Sequence, residues 1–288
     1  MSHTFRTRAE HGLEGAEAAL LWEHGCSGIV EDGDSLVAWF DERVELPLEG
    51  TWAEADTTDY LARYYEEVGP VTVGPVVVAP THQSVTLEPG QKPLWLDPGM
   101  AFGSGHHETT HALLLQLSRM DLAGRTVLDI GAGSGILALA ADLLGAGSVT
   151  GIDNDPATVP VAAGNARLNR SRAQFVHAAL AEFKGRDPFA VDPATGAPLV
   201  EWRVGDSPAF RAEKPFDIVI ANLFAALHVQ LMPAYGEQLV AEGWLLLSGI
   251  MLNQAAEVRA ALTGHGYEQV TRLQDGDWVS FTARKPAS

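Results

Sequence analysis

The first 70 residues of the chain show two kinds of hydrophobic pattern, helical and strand-like. A helical pattern over about 14–24 is followed by the apolar runs "CSGIVED" and "SLVAWF", which are separated by a turn at Gly33 and Asp34. Short apolar runs bounded by turn residues are typical of strands. Together with a strand before the helix, they predict a small two-layer α/β domain over residues 1–53. The polar residues 54–70, which contain "DTTDYLARYYEEVG", are predicted to form a helical linker.

Residues 71–288 show apolar strands that alternate with helical segments. Short strands are predicted in "VTVGPVVVAP" and "SVTLEPG", and a hairpin is predicted in "YEQVTRLQDGDWVSFTARK". Between these strands and the hairpin, strands are predicted at 126–130, 148–152 and 174–178, in "FDIVIANL" and in "WLLLSGI". Helices are predicted over about 108–119, 135–144 and 156–168, after "FDIVIANL" and beyond residue 253. Near-continuous apolar strands between helices indicate a mostly parallel sheet covered on both faces, which binds ligands beyond the carboxyl ends of its strands. Residues 183–215 contain five prolines and are predicted to be an inserted loop.

Charge and composition narrow the range of functions. The net charge of −18 argues against nucleic-acid binding, because that binding needs basic patches. Residues 1–70 hold 16 acidic residues against four arginines, so 4 − 16 = −12 of the charge lies there, either as a solvated surface or as a docking face for a basic partner. No apolar run reaches the ~18 residues of a membrane span, so no membrane partner is expected. The single cysteine, Cys26, fits a reducing compartment, and we expect a cytoplasmic protein.

The segment "GSGHHETTH" contains the letters H-E-x-x-H at residues 107–111. On a helix this spacing is typical of a zinc protease, in which both histidines bind the metal and the glutamate acts as general base. A third ligand is missing at the spacings that zinc sites use, so we expect no metal. The alternative interpretation is a helix start after a glycine turn, where Thr109 and Thr110 can reach a ligand across the helix end.

The stretch "TVLDIGAGSGILALAA" predicts a nucleoside cofactor site. Its strand carries Asp129, and its turn follows G-x-G-x-G through Gly131, Gly133 and Gly135, which lets a ligand approach the backbone closely. A nicotinamide fingerprint would instead place a glycine at position 136, where the chain has Ile. Asp153 ends the next predicted strand, where a carboxylate can accept hydrogen bonds from both ribose hydroxyls. Asp129, the glycine turn and Asp153 together are typical of class I methyltransferases.

Asn222 ends the strand "FDIVIANL" at the same predicted edge of the sheet. Its side-chain oxygen can accept a hydrogen bond from an amine and direct the nitrogen lone pair toward a methyl group. The alternative is an asparagine that only shapes a strand-end turn. With the other motifs present, we favour the functional interpretation and assign Asn222 as the candidate catalytic residue.

The motifs "LDPGMAFGSGHHETT", "VLDIGAGSGILALAA", "GIDNDP" and "ANL", in this order, closely resemble those of the ribosomal protein L-eleven methyltransferase family (PrmA type). The similarity covers roughly 93–180 and 216–284. It implies a Rossmann-like class I methyltransferase fold with a mostly parallel seven-stranded sheet, and S-adenosylmethionine as cofactor with S-adenosylhomocysteine as product. The implied cofactor contacts are Thr110, Gly131, Asp153 and Asn222, and also Phe102, Gly103, Gly105, Asp129 and Gly133.

The resemblance also implies the reaction and the partner. The family methylates the N-terminal amine and lysines of one large-subunit ribosomal protein, and its N-terminal domain recognises that substrate, free or on the ribosome. Three alternatives stay open from the residues themselves. They are a class I methyltransferase of another protein or small amine, a nicotinamide oxidoreductase, and a cofactor-binding module without chemistry.

Overall fold

The computed structural model describes residues 3–9, 16–26, 28–40, 42–54, 69–81, 83–97, 107–180, 183–186, 201–204 and 207–287. Contacts within the chain divide it into two compact units, Met1–Val68 and Gly69–Ser288. Most of the predicted linker, 55–68, lies outside the described residues. Among the described helices, none is long and apolar enough to cross a membrane.

The first unit contains a four-stranded antiparallel sheet and one helix. Its elements are β1 (His3–Arg8), α1 (Ala16–Glu23), β2 (Gly28–Asp32), β3 (Ser35–Phe40) and β4 (Gly50–Glu54), with strand order β2-β3-β1-β4. Alternation in β3 buries Leu36, Ala38 and Phe40 against Phe5 and Leu21. This α/β unit agrees with the predicted architecture and adds β4, which the pattern did not predict.

Strand β4 has little hydrophobic pattern of its own. Its sequence "GTWAE" is exposed except for Trp52, whose ring lies 5.0 Å from that of Phe5 and 5.1 Å from that of Phe40. A Cβ on Gly50 would lie 2.4 Å from the Arg6 carbonyl oxygen, so the close approach to β1 needs a glycine. The pairing with β1 therefore makes this segment a strand, and Glu54 belongs to it and not to a helix.

The second unit begins with a three-stranded sheet of β5 (Val71–Val73), β6 (Val76–Pro80) and β7 (Lys92–Leu96). β5 and β7 occupy both edges of β6, the first antiparallel and the second parallel. The strand predicted in "SVTLEPG" is wrong, because residues 84–90 form no strand. Leu87 is 39% exposed there, so the apolar residues of this segment bury too little surface to hold a strand in place.

A seven-stranded sheet dominates this unit and confirms the predicted fold class. Its strands are β8 (Thr126–Ile130), β9 (Ser148–Asp153), β10 (Gln174–His177), β13 (Phe216–Asn222), β14 (Leu239–Met251), β15 (Glu268–Asp275) and β16 (Trp278–Arg284), in the order β10-β9-β8-β13-β14-β16-β15. The five strands from β10 to β14 are parallel, and β16 runs antiparallel to both of its neighbours, β14 and β15. The covering helices are α2 (Glu108–Ser118), α3 (Ile136–Leu143), α4 (Thr158–Leu168), α5 (Ala225–Gln238) and α6 (Ala255–Gly264).

Both faces of the central strands are buried, which explains their continuous apolar runs. In β8, Val127 packs into one core with Leu117, whereas the adjacent Leu128 packs into the other with Tyr235. The successive residues of a strand point to opposite faces, so a strand between two layers of helices has apolar residues at most of its positions. The carboxyl ends of the parallel strands consequently meet at one edge, where the polar residues Asp153 and Asn222 stand.

The predicted inserted loop at 183–215 is only partly correct. Phe183–Arg186 (β11) and Glu201–Val204 (β12) pair as two antiparallel strands, and Ala179 forms a parallel bridge with Ala209. Residues 187–200 lie outside the described residues. Backbone pairing between separated segments produces these strands, and neither segment has a strand-like run long enough to predict it.

Candidate active site

The glycine turn between β8 and α3 has a backbone that only glycine adopts readily. Gly131, Gly133 and Gly135 have φ angles of 73°, 53° and 83°. A Cβ on Gly131 would lie 2.7 Å from Cδ2 of Leu223, so the turn also packs tightly against its neighbour. The Gly131 and Ala132 amides both donate to the Ile152 carbonyl, at 2.9 and 3.0 Å, which fixes the turn against the end of β9.

Asp153 ends β9 and faces this turn. Its Oδ2 accepts from the Gly133 amide at 2.9 Å, and its Oδ1 accepts from the Asp155 amide at 2.9 Å. These bonds orient the half-buried carboxylate and leave lone pairs free, because two carboxylate oxygens can accept about four hydrogen bonds. The side chain is therefore held in place to accept hydrogen bonds from a ligand's hydroxyl groups.

Asp129 lies on β8 directly below the turn and is 1% exposed. Its Oδ2 accepts from the Ala138 amide at 3.0 Å, but its Oδ1 has no hydrogen-bond partner among the described residues. Burial raises the pKa of this carboxyl to about 7, the bond from Ala138 opposes the rise, and the charge of Asp153 adds to it. A buried carboxyl oxygen without a partner is costly, and a cationic or N–H donor from a ligand would remove that cost.

Asn222 connects β13 to the first turn of α2. Its Nδ2 donates to the Thr109 and Thr110 hydroxyl oxygens, at 3.3 and 3.4 Å. Both threonines are buried, and Gln116 further along α2 holds the helix to Ser280 of β16 with a 2.7 Å bond. The asparagine and the threonines, which lie far apart in sequence, thus form one contact at the carboxyl edge of the sheet.

The histidines of the H-E-x-x-H segment have partners of their own. Nδ1 of His107 caps α2 by accepting from the Thr109 amide at 3.3 Å, and its ring packs edge-on against Trp278 with centroids 4.9 Å apart. Nδ1 of His111 lies 4.0 Å from an Asp275 carboxylate oxygen. Among the described residues, no three His, Cys, Asp or Glu side chains are grouped to hold a metal ion.

The structure brings six of the predicted residues to one edge of the sheet. They are Thr110, Asp129, Gly131, Gly133, Asp153 and Asn222. Phe102, Gly103 and Gly105 lie outside the described residues, and their predicted role stays a prediction.

Sequence reasoning missed the apolar wall of the site. A cleft beside Asp153 and Gly131 is lined by side chains from β9, from the segment after β10, from the turn after β13 and from α5, namely Ile152, Ala178, Leu180, Leu223 and Leu227. The Ala178 amide donates to the Asp153 carbonyl at 2.9 Å, which brings the residues after β10 to the site. Aliphatic residues carry no chemical signature, and only the strand order shows that they border the carboxylate.

Comparison with known proteins identifies the relatives of this chain. The family model described as ribosomal protein L11 methyltransferase (PrmA) matches residues 35–286. A ribosomal protein L11 methyltransferase of Deinococcus radiodurans is 36% identical over 98% of this chain and 96% of the relative. The Thermus thermophilus protein of the same name is 38% identical over 90% of each chain. A crystal structure of a ribosomal protein L11 methylase from Lactobacillus delbrueckii covers 76% of this chain and all of its own, with a TM-score of 0.61 and 26% identity.

Proposed function

Because the chain belongs to the ribosomal protein L11 methyltransferase family, we propose that it transfers methyl groups from S-adenosylmethionine to amino groups of ribosomal protein L11. The observation that best supports this reaction is the contact of Asn222 with Thr109 and Thr110 at the edge that also carries the glycine turn and Asp153. The nicotinamide oxidoreductase is rejected, since 98% of the chain aligns with a ribosomal protein L11 methyltransferase.

The chemistry of the described residues suits S-adenosylmethionine. Asp153 accepts hydrogen bonds from the ribose hydroxyls, and the apolar cleft beside it takes the adenine base. The unpartnered Oδ1 of Asp129 accepts from the amino group of the methionine part. The glycines hold the turn in a positive-φ backbone that a ligand can approach closely, and Thr110 borders the site on the side of α2.

The cofactor supplies an activated methyl group, and the protein positions the substrate amine against it. With Nδ2 committed to the threonines, Oδ1 of Asn222 accepts an N–H of the substrate amine and aims the nitrogen lone pair at the methyl group. The amine must be neutral, which at pH 7 costs about 4 to 5 kcal/mol for a lysine and about 1 kcal/mol for an N-terminal amine. No described side chain is placed as an evident general base, so the proton leaves to water before attack.

The N-terminal domain recognises the substrate in this proposal. Residues 1–70 carry −12 of the net charge, which suits a basic ribosomal protein. Carboxylates near the reacting amine would stabilise its charged form, so the acidic domain docks the substrate away from the methyl group. Family membership and the net charge together favour a cytoplasmic enzyme that acts on the protein and not on nucleic acid.

Transfer of labelled methyl groups tests the proposal. Incubated with labelled S-adenosylmethionine and purified large-subunit proteins, the enzyme should label ribosomal protein L11. A parallel reaction with intact large subunits shows whether the enzyme also methylates this protein when it is bound to the ribosome. Asp153→Ala should weaken cofactor binding by roughly 1.5 to 3 kcal/mol, the range for a lost charge-assisted hydrogen bond. Asp217→Ala is the matched control, because Asp217 lies near the start of β13, at the opposite edge of the sheet from Asp153. If another protein is labelled, or if no protein is labelled, the proposal that ribosomal protein L11 is the substrate is contradicted.

Removing the first unit tests the division of labour. A truncated protein that begins at Gly69 keeps every described cofactor residue, so it should bind S-adenosylmethionine and yet methylate ribosomal protein L11 poorly. In the full chain, association should slow as salt shortens the Debye length from about 30 Å to about 8 Å. If the truncated protein methylates ribosomal protein L11 at the full-length rate, the acidic domain does not recognise the substrate.

A further inference from the structure

His228 is a buried polar residue of α5 that the reaction above does not use. The side chain is fully buried, and both of its ring nitrogens have partners. Nε2 lies 2.8 Å from the Ser248 carbonyl oxygen, and Nδ1 lies 3.1 Å from the Tyr235 hydroxyl. Burial lowers the pKa of the imidazole to about 4, so the ring is neutral at physiological pH.

These partners determine which nitrogen carries the proton. A carbonyl oxygen can only accept, so Nε2 of His228 must be the donor to Ser248. Nδ1 is then the acceptor, and the Tyr235 hydroxyl donates to it. The buried tyrosine thereby holds the imidazole in the tautomer that reaches β14.

The Ser248 carbonyl also supports the backbone next to the candidate catalytic residue. It accepts a second hydrogen bond, of 3.0 Å, from the Leu223 amide. Ser248 pairs with Asn222 in the parallel register of β13 and β14. At the next residue, a Cβ on Gly249 would lie 2.4 Å from the Leu223 carbonyl oxygen, so β14 presses directly against this backbone. One carbonyl group therefore connects His228 to the turn that follows Asn222.

That turn contacts both halves of the site. The Leu223 side chain packs on Gly131 of the glycine turn, and Asn222 donates to Thr109 and Thr110. A shift of the 222–223 backbone would consequently move the amide that orients the amine and the wall that borders the glycine turn. Reactions that depend on orientation are sensitive to such shifts, and a displacement of about 1 Å can cost about 100-fold in rate.

We propose that His228 is a positioning residue for methyl transfer, which holds Asn222 and Leu223 in place through the Ser248 carbonyl. The inference rests on the proposed function, because it assigns a purpose to the placement of Asn222. Mere packing would be served by an apolar side chain, since a buried polar residue must recover the hydrogen bonds that it loses to water. His228 recovers them from the Tyr235 hydroxyl and from the Ser248 carbonyl, which also accepts from the Leu223 amide.

Two amide variants test this positioning. His228→Gln can place its terminal NH2 near the Nε2 position and keep the bond to Ser248, whereas His228→Asn reaches only the Nδ1 position. We expect His228→Gln to keep kcat within about threefold of the original protein and His228→Asn to lose about tenfold, with KM for ribosomal protein L11 changed by less than about twofold in both. Equal kcat values for the two folded variants would overturn the proposal.

A stability control separates positioning from packing. Val258→Ala removes volume from the same core, and its alkyl side chain forms no hydrogen bond with the Ser248 carbonyl or the 222–223 backbone. It should lower the unfolding midpoint and leave kcat within about twofold. A kcat loss in Val258→Ala as large as that in His228→Asn would also overturn the proposal.

A readout without catalysis keeps this inference distinct from the proposed function. The NMR signal of the Asn222 side-chain amide should shift in His228→Asn, and stay near its original position in His228→Gln and in Val258→Ala. An unmoved Asn222 signal in His228→Asn refutes positioning even if the enzyme methylates ribosomal protein L11. A moved signal in a protein that transfers no methyl group supports positioning and refutes the function.

Discussion

The buried carboxyl of Asp129 should make the ligand-free protein less stable as the pH rises. Burial raises its pKa from 3.8 to about 7. The unfolded chain releases this proton at the lower pH, so the stabilisation is complete below about pH 4 and is lost progressively up to about pH 7. The difference of about three pH units, at about 1.4 kcal/mol each, gives a loss of about 4 kcal/mol in the free energy of unfolding.

His228 opposes this trend over part of the same range. Burial lowers its pKa from 6.5 to about 4, so the unfolded chain takes up this proton first as the pH falls. Its contribution is therefore complete above about pH 6.5 and is lost as the pH falls toward about 4. Between these values the two groups nearly cancel, and the pH profile of the unchanged protein alone cannot reveal either of them.

A comparison with Asp129→Asn isolates the carboxyl. The amide oxygen can still accept from Ala138, and the His228 contribution is the same in both proteins. Urea unfolding without cofactor at pH 5, 6, 7 and 8 should show the variant gaining about 1.4 kcal/mol per pH unit up to pH 7, and little beyond it. Parallel stability curves for the two proteins would refute the reasoning, because Asp129 would then ionise alike in both states.

Asp217→Asn is the control for the sign of this effect. Burial alone would raise the pKa of Asp217, but hydrogen bonds from Thr126 and Arg125 hold it below its usual value. The stability that its carboxylate contributes is lost only at pH values below about 4, so its difference curve should stay flat from pH 5 to 8. A slope in the Asp217→Asn difference curve between pH 5 and 8 would show that replacing any aspartate changes the pH dependence of stability, and the Asp129→Asn slope would then not report on the buried carboxyl.

Two further predictions concern the glycine turn and the metal motif. Gly135→Ala should destabilise the protein by about 1 to 2 kcal/mol, because residue 135 has a φ of 83°. It should lose about 1 to 3 kcal/mol more, because the new Cβ would lie 2.7 Å from Cζ of Phe175. Urea unfolding measures both losses. Gly145→Ala, which has a φ of 110° and nothing within 4 Å, should show only the first loss, and equal losses in the two variants would exclude the Phe175 contact. Residues 107–111 should bind no zinc, and elemental analysis that finds one zinc per chain, with activity lost to chelators, would contradict this.

The catalytic sheet was predictable because burial on two faces leaves a strong local signal. Thr126–Ile130 carries the apolar residues Val127, Leu128 and Ile130 on its two faces, and a glycine turn and an apolar helix follow it directly. The parallel order of β8, β9 and β13 then brings Asp153 and Asn222 to one edge. Each step depends on residues adjacent in sequence, together with one general rule about parallel sheets.

Segments that depend on a distant partner were not predictable. Gly50–Glu54 becomes a strand through pairing with β1, and the paired strands at 183–186 and 201–204 lie in a region that the prolines marked as a loop. The opposite error occurred in "SVTLEPG", where Val85 and Leu87 alternate as in a strand but form none. Local pattern records the preference of a segment, whereas pairing also requires an available edge.

The same distinction explains which site residues the sequence could reveal. The roles proposed for Gly131 and Asp153 rest on features of their own residue types, the positive φ that glycine adopts readily and a carboxylate. His228 instead acts on a main-chain carbonyl of Ser248, and every residue has such a group, so no motif distinguishes this acceptor from any other. Its importance depends on the β13–β14 register, which puts that carbonyl beside Asn222. Residues that support an active site through the backbone therefore have to be found from the topology, even where the residues that contact the cofactor can be found from the sequence.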